Sequence, residues 1–420
     1  MRKFTGLAFL LLSYSLQGGG LETTGIISID HSWSKDGLQK SKFTALIESS
    51  QNLTPNTSFT AIVRAQFVGP DALEPGQNNQ PSVAPLSRRF NVSNSLELEL
   101  RELYWDLDLD KTHLRLGKQQ VVWGQADGLK LLDLINPQDF REFILEDFDD
   151  SRIPTWMVNF EWYLEAGDLQ LLWIPDSSMH SLPGPGSTYE ITAPFSSISP
   201  DVPQRFDPVD RPNRLFKDSD IGLRFSLFKV GWDITLNYFY HYDDFPVVRI
   251  TVDSSGLLFT PQYERTHTFG ASATNAFGDF VLRSEFVVNS DKYMRVVDSA
   301  SVQGGTKSHE VAYVLGVDWS GLTDTFISMQ VFQSRTRDNT DTNITFLLRR
   351  TFMNESLSTQ ILWLYHLNED DNLLRLNATY ELTSTLQISL YAERFSGKAD
   401  ELFGQFNKLD QIGIKLQLGI

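Results

Sequence analysis

Between Gly124 and Pro154 the sequence gathers eight carboxylates, Asp127, Asp133, Asp139, Glu142, Glu146, Asp147, Asp149 and Asp150, against three cations, Lys130, Arg141 and Arg152. Five net negative charges on one short segment attract cations, and grouped carboxylate oxygens are what a hard ion such as calcium takes as ligands. The set Glu146, Asp147, Asp149 and Asp150 lacks the spacing of a calcium loop, so a solvated acidic turn is the better reading. Asp149 and Asp150 match the paired acids of glycoside hydrolysis in type only, since adjacent acids in a loop are common. The seven histidines, among them His31, His113, His241 and His366, stand singly, without metal-ligand spacing and outside any serine-hydrolase context. No catalytic residue, metal site or cofactor is expected.

The same segment is too apolar to be wholly wetted. Leu129, Leu131, Leu132, Leu134, Ile135, Phe140, Phe143, Ile144 and Phe148 lie among the charges, and the apolar residues of 140–148 recur at helical spacing. They must pack against something, which turns attention to the elements around them. A strand, His113 to Trp123, leads in, with Leu114 and Leu116 on one face and Arg115, Gly117 and Gln119 on the other. A second strand, Trp156 to Tyr163, leads out.

The rest of the chain repeats one unit, a pair of alternating strands across a short turn. Ile221, Leu223, Phe225 and Leu227 alternate with Gly222, Arg224 and Ser226; after Lys229-Val-Gly231, Trp232 to Tyr240 alternate with Asp233 to His241. Short turns at Phe277-Gly278, Ser320-Gly321, Asn354-Glu355 and Thr383-Ser384 take turns with longer polar loops. Strict exchange of short turns and long loops is the signature of an up-and-down barrel. One leading strand, eight hairpins and one closing strand make about 18 antiparallel strands, 16 to 18 given the weak alternation of 24–33. Many strands oppose an apolar face to a charged one, which in a transmembrane barrel means lipid outside and a polar lumen. The fold expected is therefore all-β, a transmembrane barrel over 21–420. The segment 124–155 folds inward as a lumen or constriction loop, and the Pro- and Ser-rich stretch 175–217 forms a long extracellular loop. Arg101, Arg115, Gln119, Arg224, Arg283 and Glu285 fall on inward faces.

Composition agrees. The 420 residues carry a net charge of -17 and no cysteine. The charge argues against nucleic-acid binding by phosphate neutralisation, and the absence of thiols suits a chain that crosses an oxidising periplasm unfolded. Residues 1–20 read as a secretory signal, with Arg2-Lys3, an apolar core from Phe4 to Leu12 and a small-residue end. No later stretch approaches the apolar length of a membrane helix.

Two stretches carry resemblances. Gln411-Ile-Gly-Ile-Lys-Leu-Gln-Leu418 resembles the C-terminal signal by which outer-membrane barrels are recognised for insertion, through Gln411, Gly413, Leu416 and Leu418, although the usual terminal aromatic is replaced by Gly419-Ile420. The run Arg115-Leu-Gly-Lys-Gln119, Val122-Trp-Gly124 and Asp133-Leu-Ile-Asn-Pro137 resembles the motif of a Gram-negative outer-membrane family, domain of unknown function 1302. That resemblance implies a porin-like β-barrel in the bacterial outer membrane, of a kind often found with lipid-export systems, and it carries over no catalytic residues. Outer-membrane lipid and the barrel-assembly machinery are the partners expected, with a periplasmic or export-system partner besides. The function expected is passage of small or amphipathic solutes through a pore narrowed by the inserted loop. The alternatives are a barrel plugged by that loop and serving export machinery, or an outer-membrane lipid hydrolase.

Overall fold

Period-two alternation is realised in the long strands of the described residues. The computed structural model describes residues 20–69, 73, 79–191, 203–209, 211–253, 256–294, 306–337 and 339–420. Apart from Gly20, the expected signal segment lies outside the described residues. The first strands are β1 (Leu21–Ser34), β2 (Gly37–Thr54), β3 (Thr57–Val68), β4 (Phe90–Asn91), β5 (Leu96–Leu109), β6 (Thr112–Gln119), β7 (Thr155–Leu164) and β8 (Gly167–Ile174). Then come β9 (Gln204–Phe206), β10 (Asp220–Lys229), β11 (Trp232–Tyr242), β12 (Val247–Asp253), β13 (Gly256–Gln262), β14 (Arg265–Phe277) and β15 (Phe280–Met294). The last are β16 (Thr306–Trp319), β17 (Thr325–Arg335), β18 (Thr340–Phe352), β19 (Leu357–His366), β20 (Asp371–Glu381), β21 (Leu386–Ser396) and β22 (Gln411–Gly419).

Among the described residues one sheet holds 19 strands; setting aside the two-residue β4 leaves 18, each antiparallel to its neighbours. The sheet closes where β1 pairs with β22, from Ile26 opposite Gly419 to Ser34 opposite Gln411. Closure leaves no free edge, which is what a sheet needs in lipid. Side chains sort as the alternation requires. On β11, Thr235, Asn237 and His241 are buried while Leu236 is exposed, and on β15 Glu285 is buried while Leu282 and Phe286 are exposed. Leu416 and Leu418 of the closing strand are also exposed. Beyond the barrel, β12 and β13 form a hairpin in the loop after β11, and β9 pairs with β13 in parallel. The sequence there reads only as polar loop.

Two expectations are corrected near the inserted loop. The strand expected through Trp123 stops at Gln119, because Asn136 captures the chain: its Oδ1 accepts the Val121 N–H at 2.7 Å and its Nδ2 donates to the Gln119 carbonyl at 3.2 Å. Helical spacing in 140–148 does not produce a long helix; the loop's one α-helix is the single turn Phe148–Ser151. Instead, these apolar residues divide between different walls of the barrel.

Departure of the chain at Gln119 opens a window, since β5 pairs with β6 only from Leu103 onward. Residues 80–91 fill it. Here β4 pairs with Leu98 and Glu97 of β5, and on the other flank the Ser87 hydroxyl donates to Asp176 and the Trp156 indole to the Leu86 carbonyl. Lys118, almost wholly buried, reaches the Ser87 and Leu100 carbonyls. Without strand periodicity of its own, this segment is a patch in the wall.

At the seam Gly413 has a physical role. A Cβ there would lie 2.1 Å from Cζ of Tyr391, whose hydroxyl crosses to donate to Asp30 at 2.6 Å. Replacing Gly413 by alanine should displace the ring and destabilise the closed barrel by about 1–3 kcal/mol, as overpacking does. The measurement is the temperature at which the folded band disappears on a gel. Truncating Tyr391 in the alanine variant should recover part of the loss, and full additivity would exclude the contact as the cause.

Candidate functional site

The candidate site is the lumen loop, residues 120–154, with the wall residues that hold it. Those N–H and C=O groups of a loop that packing buries inside a barrel must find partners in the protein. Wall side chains meet much of this need. Glu285 of β15 accepts the N–H of Gln125 on one oxygen and that of Leu132, at 3.0 Å, on the other. Gln330 of β17 accepts the Asp127 N–H at 3.0 Å. Arg101 of β5 donates to the carbonyls of Asp149 and Asp150, while Arg375 of β20 donates to those of Ile144 and Leu145. A neighbouring loop helps too: Phe140 N–H donates to the Ser181 carbonyl and Ser181 N–H to that of Gln138. The stretch expected to be external, 175–217, thus turns inward at its start, and Tyr189 packs in the lumen against Phe406.

Apolar side chains anchor the loop at both ends of its crossing. Trp123 and Ile135 pack with Met157, Leu172, Ile174 and Phe239, and the Trp123 indole donates to Gln170 at 2.8 Å. Across the lumen, Phe143 and Leu145 join Leu347, Leu364, Phe395 and Phe403. Between the two, Leu132 sits against the wall at Gly270, where a Cβ would lie 2.4 Å from its Cδ2.

Nearly all the loop's carboxylates have cationic partners. Asp127 pairs with Arg283 of β15, Asp133 with Arg152 and Lys130, and Asp139 with Arg141 and Arg89. Glu142 meets both Lys40 and Lys42 of β2, and Glu146 shares Lys42 at 2.8 Å. Arg141 also bridges to Glu97 of β5. Asp149 pairs with Arg152, and Asp150 lies 3.9 Å from Arg64. Asp147 is exposed. Lys40, Lys42, Arg64 and Arg89 therefore belong to the site although sequence reasoning left them out; inward parity could have marked the first three, whereas Arg89 lies outside any strand. Glu142 and Asp139 are held well below the carboxylate range, despite burial, by the cations beside them. Burial, with Glu142 and Asp139 close by, pushes Glu146 up.

The other sequence candidates are placed as follows. Arg115 pairs with Asp106 and lies over the Tyr104 ring, and Gln119 is buried at the loop's entry. Arg224 donates to the Val122 carbonyl, and Arg283 adds Asp318 to its pair with Asp127. Gln411 accepts from the Ser32 hydroxyl and donates to Tyr189, tying the closing strand to the lumen contents. Of the acidic residues considered for calcium, Glu146, Asp149 and Asp150 disperse to different cations and Asp147 is exposed, and among the described residues no group of three or more His, Asp or Glu is arranged to hold a metal. His241 bonds to Thr268 and His366 lies between Asp341 and Asp371, so neither faces a serine.

The loop divides the lumen. At the long-loop end a cavity of about 430 Å³ lies between its apolar side, including Leu129, Leu131 and Phe148, and the wall from β11 to β18. A smaller one of about 170 Å³, lined by Lys40, Lys42, Arg375 and Lys415 with loop carboxylates, lies against β1, β2 and β20 to β22. Glu146 borders both.

A family profile described as "Protein of unknown function (DUF1302)" matches residues 69–343. No curated protein matches the chain. Among solved structures, it is similar to OccK2 (OpdF) of Pseudomonas aeruginosa in complex with glucuronate, at 9% identity over 96% of this chain and 99% of that one, with a TM-score of 0.54. It is also similar to OccAB3 of Acinetobacter baumannii, at 9% identity over 95% and 98% with a TM-score of 0.54. A third is the outer membrane protein OpdK of Pseudomonas aeruginosa, at 10% over 95% and 98% with a TM-score of 0.53. The likeness is one of fold: a closed, outer-membrane-type β-barrel.

Replacing Glu285 by alanine tests the attachment of the loop. Two buried N–H groups would lose their acceptor, at about 1–3 kcal/mol each. The barrel should keep its folded gel mobility while trypsin gains a cut at Lys130; unchanged resistance would show that Glu285 is dispensable.

Proposed function

The chain belongs to the DUF1302 family, and we propose that it is an outer-membrane channel passing small amphipathic solutes, with the lumen loop as its constriction. The observation that carries this reading is that Glu146 borders both cavities, so that a loop, rather than a continuous wall, lies between the two compartments. The larger cavity offers apolar loop residues on one side and polar wall residues such as Asn289, Lys292 and Glu310 on the other, which suits a solute with two unlike faces. At the narrow point, Lys40, Lys42, Glu142 and Glu146 form a compensated cluster. The net negative charge read from the loop alone is therefore largely met by the wall, and weak ion selectivity is expected at neutral pH.

A second reading is a barrel held closed by the loop and acting with envelope export machinery. The density of ion pairs between loop and wall favours it. Single-channel recording of the refolded protein in a planar bilayer separates the two. Steady steps that grow when Leu129 to Phe148 is deleted support the constricted channel; a folded barrel with no steps supports the closed one, and a large conductance unaffected by the deletion overturns the constriction.

The pH dependence has a definite sign. Glu146 is raised while Glu142 and Asp139 are lowered, so on acidification Glu146 takes up its proton before they do. Lys42 then keeps only Glu142, and the narrow point gains positive charge. Reversal potentials in a salt gradient should shift toward anions as pH falls, and Glu146→Gln should show the shifted value already at neutral pH. Identical pH profiles for the two proteins would remove Glu146 from the ion path.

A further inference from the structure

The larger cavity holds a carboxyl group without a cationic partner beside an aromatic corner. Phe140 of the lumen loop stacks on Phe245 with ring centres 5.8 Å apart and planes at 21°, and His180 stands edge-on to both, at 5.0 and 4.5 Å. Asp244 adjoins this corner and lines the same cavity. Its nearest basic group among the described residues is His180, whose Nδ1 lies 3.9 Å from Oδ2. That nitrogen is already an acceptor: the Gln138 N–H donates to it at 2.8 Å, so its lone pair is used and it has no proton to give Asp244. Burial also holds the His180 imidazole down to about 3, so it stays neutral, and pushes the Asp244 carboxyl well up.

The cations of the cavity are committed elsewhere. Lys292 donates to Glu310 at 2.9 Å and lies 4.0 Å from Asp243, while Lys130 is bonded within the loop, 3.5 Å from Asp133. Glu146 shares Lys42. A second acceptor is also left over: Asp133 is 7% exposed, and its Oδ1 is buried without a partner, the other oxygen taking Arg152. The surplus is thus of carboxylate acceptors, next to aromatic faces that attract cations. Leu129, Leu131, Leu134, Phe143, Ile144 and Phe148 supply an apolar side for the rest of a ligand.

We propose that this cavity binds amphipathic organic cations, a primary or quaternary ammonium carried on an aromatic or short alkyl body. The ammonium lies in the corner of Asp244, Phe140 and Phe245, and the body lies along the apolar side of the loop. The inference deepens the channel reading by naming its solute class, and it rests on that reading for how the solute leaves.

Binding and passage are tested separately. Isothermal titration of the folded full-length barrel in a neutral detergent, with 2-phenylethylammonium and with 3-phenylpropionate, compares like bodies of opposite charge. The ammonium should bind saturably and the carboxylate should not. Asp244→Asn should weaken the ammonium at least tenfold and Phe140→Leu several-fold, with the folded gel mobility retained; Phe140→Leu serves if the Asp244 variant fails to fold. Absence of saturable binding, equal binding of the two probes, preference for the carboxylate, or unchanged affinity in both variants overturns the proposal. A barrel that conducts but does not bind loses the site and keeps the channel; one that binds but does not conduct keeps the site and loses the channel.

Discussion

A carboxylate or a peptide N–H carried into a barrel lumen leaves most of its water behind, and the wall must replace it. The lumen loop brings in eight carboxylates and a run of irregular backbone. Unmet, each buried polar group would cost on the order of 1–3 kcal/mol, and a charge more. Lys40 and Lys42 on Glu142, Arg283 on Asp127, and Glu285 on two loop N–H groups answer this requirement from separate strands. Because the partners are spread round the barrel, the loop has one path across it. The division of the lumen follows from that path.

Sending a strand inward also leaves a gap in the wall, and a gap exposes unpaired backbone to lipid. The run Arg115 to Pro137, which carries the family resemblance in the sequence, sits at this point. Lys118 binds carbonyls on the patch and on β5, Trp123 docks on β8 and β11 side chains, and Asn136 ties the loop's entry to its exit through the Gln119 and Ile153 carbonyls. These residues thus serve to open a barrel wall and close it again with residues 80–91. Their common occupation is geometry.

The charge economy of the lumen bears on function. Ion pairing within the loop and with the wall removes most of the field that the loop would exert alone, so the proposed channel would select by shape, by apolar surface and by the few groups left uncompensated. Asp244, beside two phenylalanines and a histidine whose proton is on the wrong nitrogen, is such a group. It belongs to an external loop that the sequence shows only as polar linker.

The sequence by itself determined the barrel. Alternation of period two, short turns at one rim and long loops at the other give the strand count and the inward faces of Arg101, Arg115, Arg224, Arg283 and Glu285, because every side chain's face follows from its neighbours' along the strand. It also located the inserted loop, since charged and apolar residues without strand periodicity have no place in a wall. What only the tertiary structure decided are the pairings across the lumen: Glu142 with Lys40 and Lys42, Asp139 with Arg89, Phe140 with Phe245 and His180, and the return of 80–91 to the wall. Those partners are far apart in the chain and belong to segments without repeating pattern. Their meeting depends on how the closed barrel brings strands and loops face to face, which local periodicity does not encode.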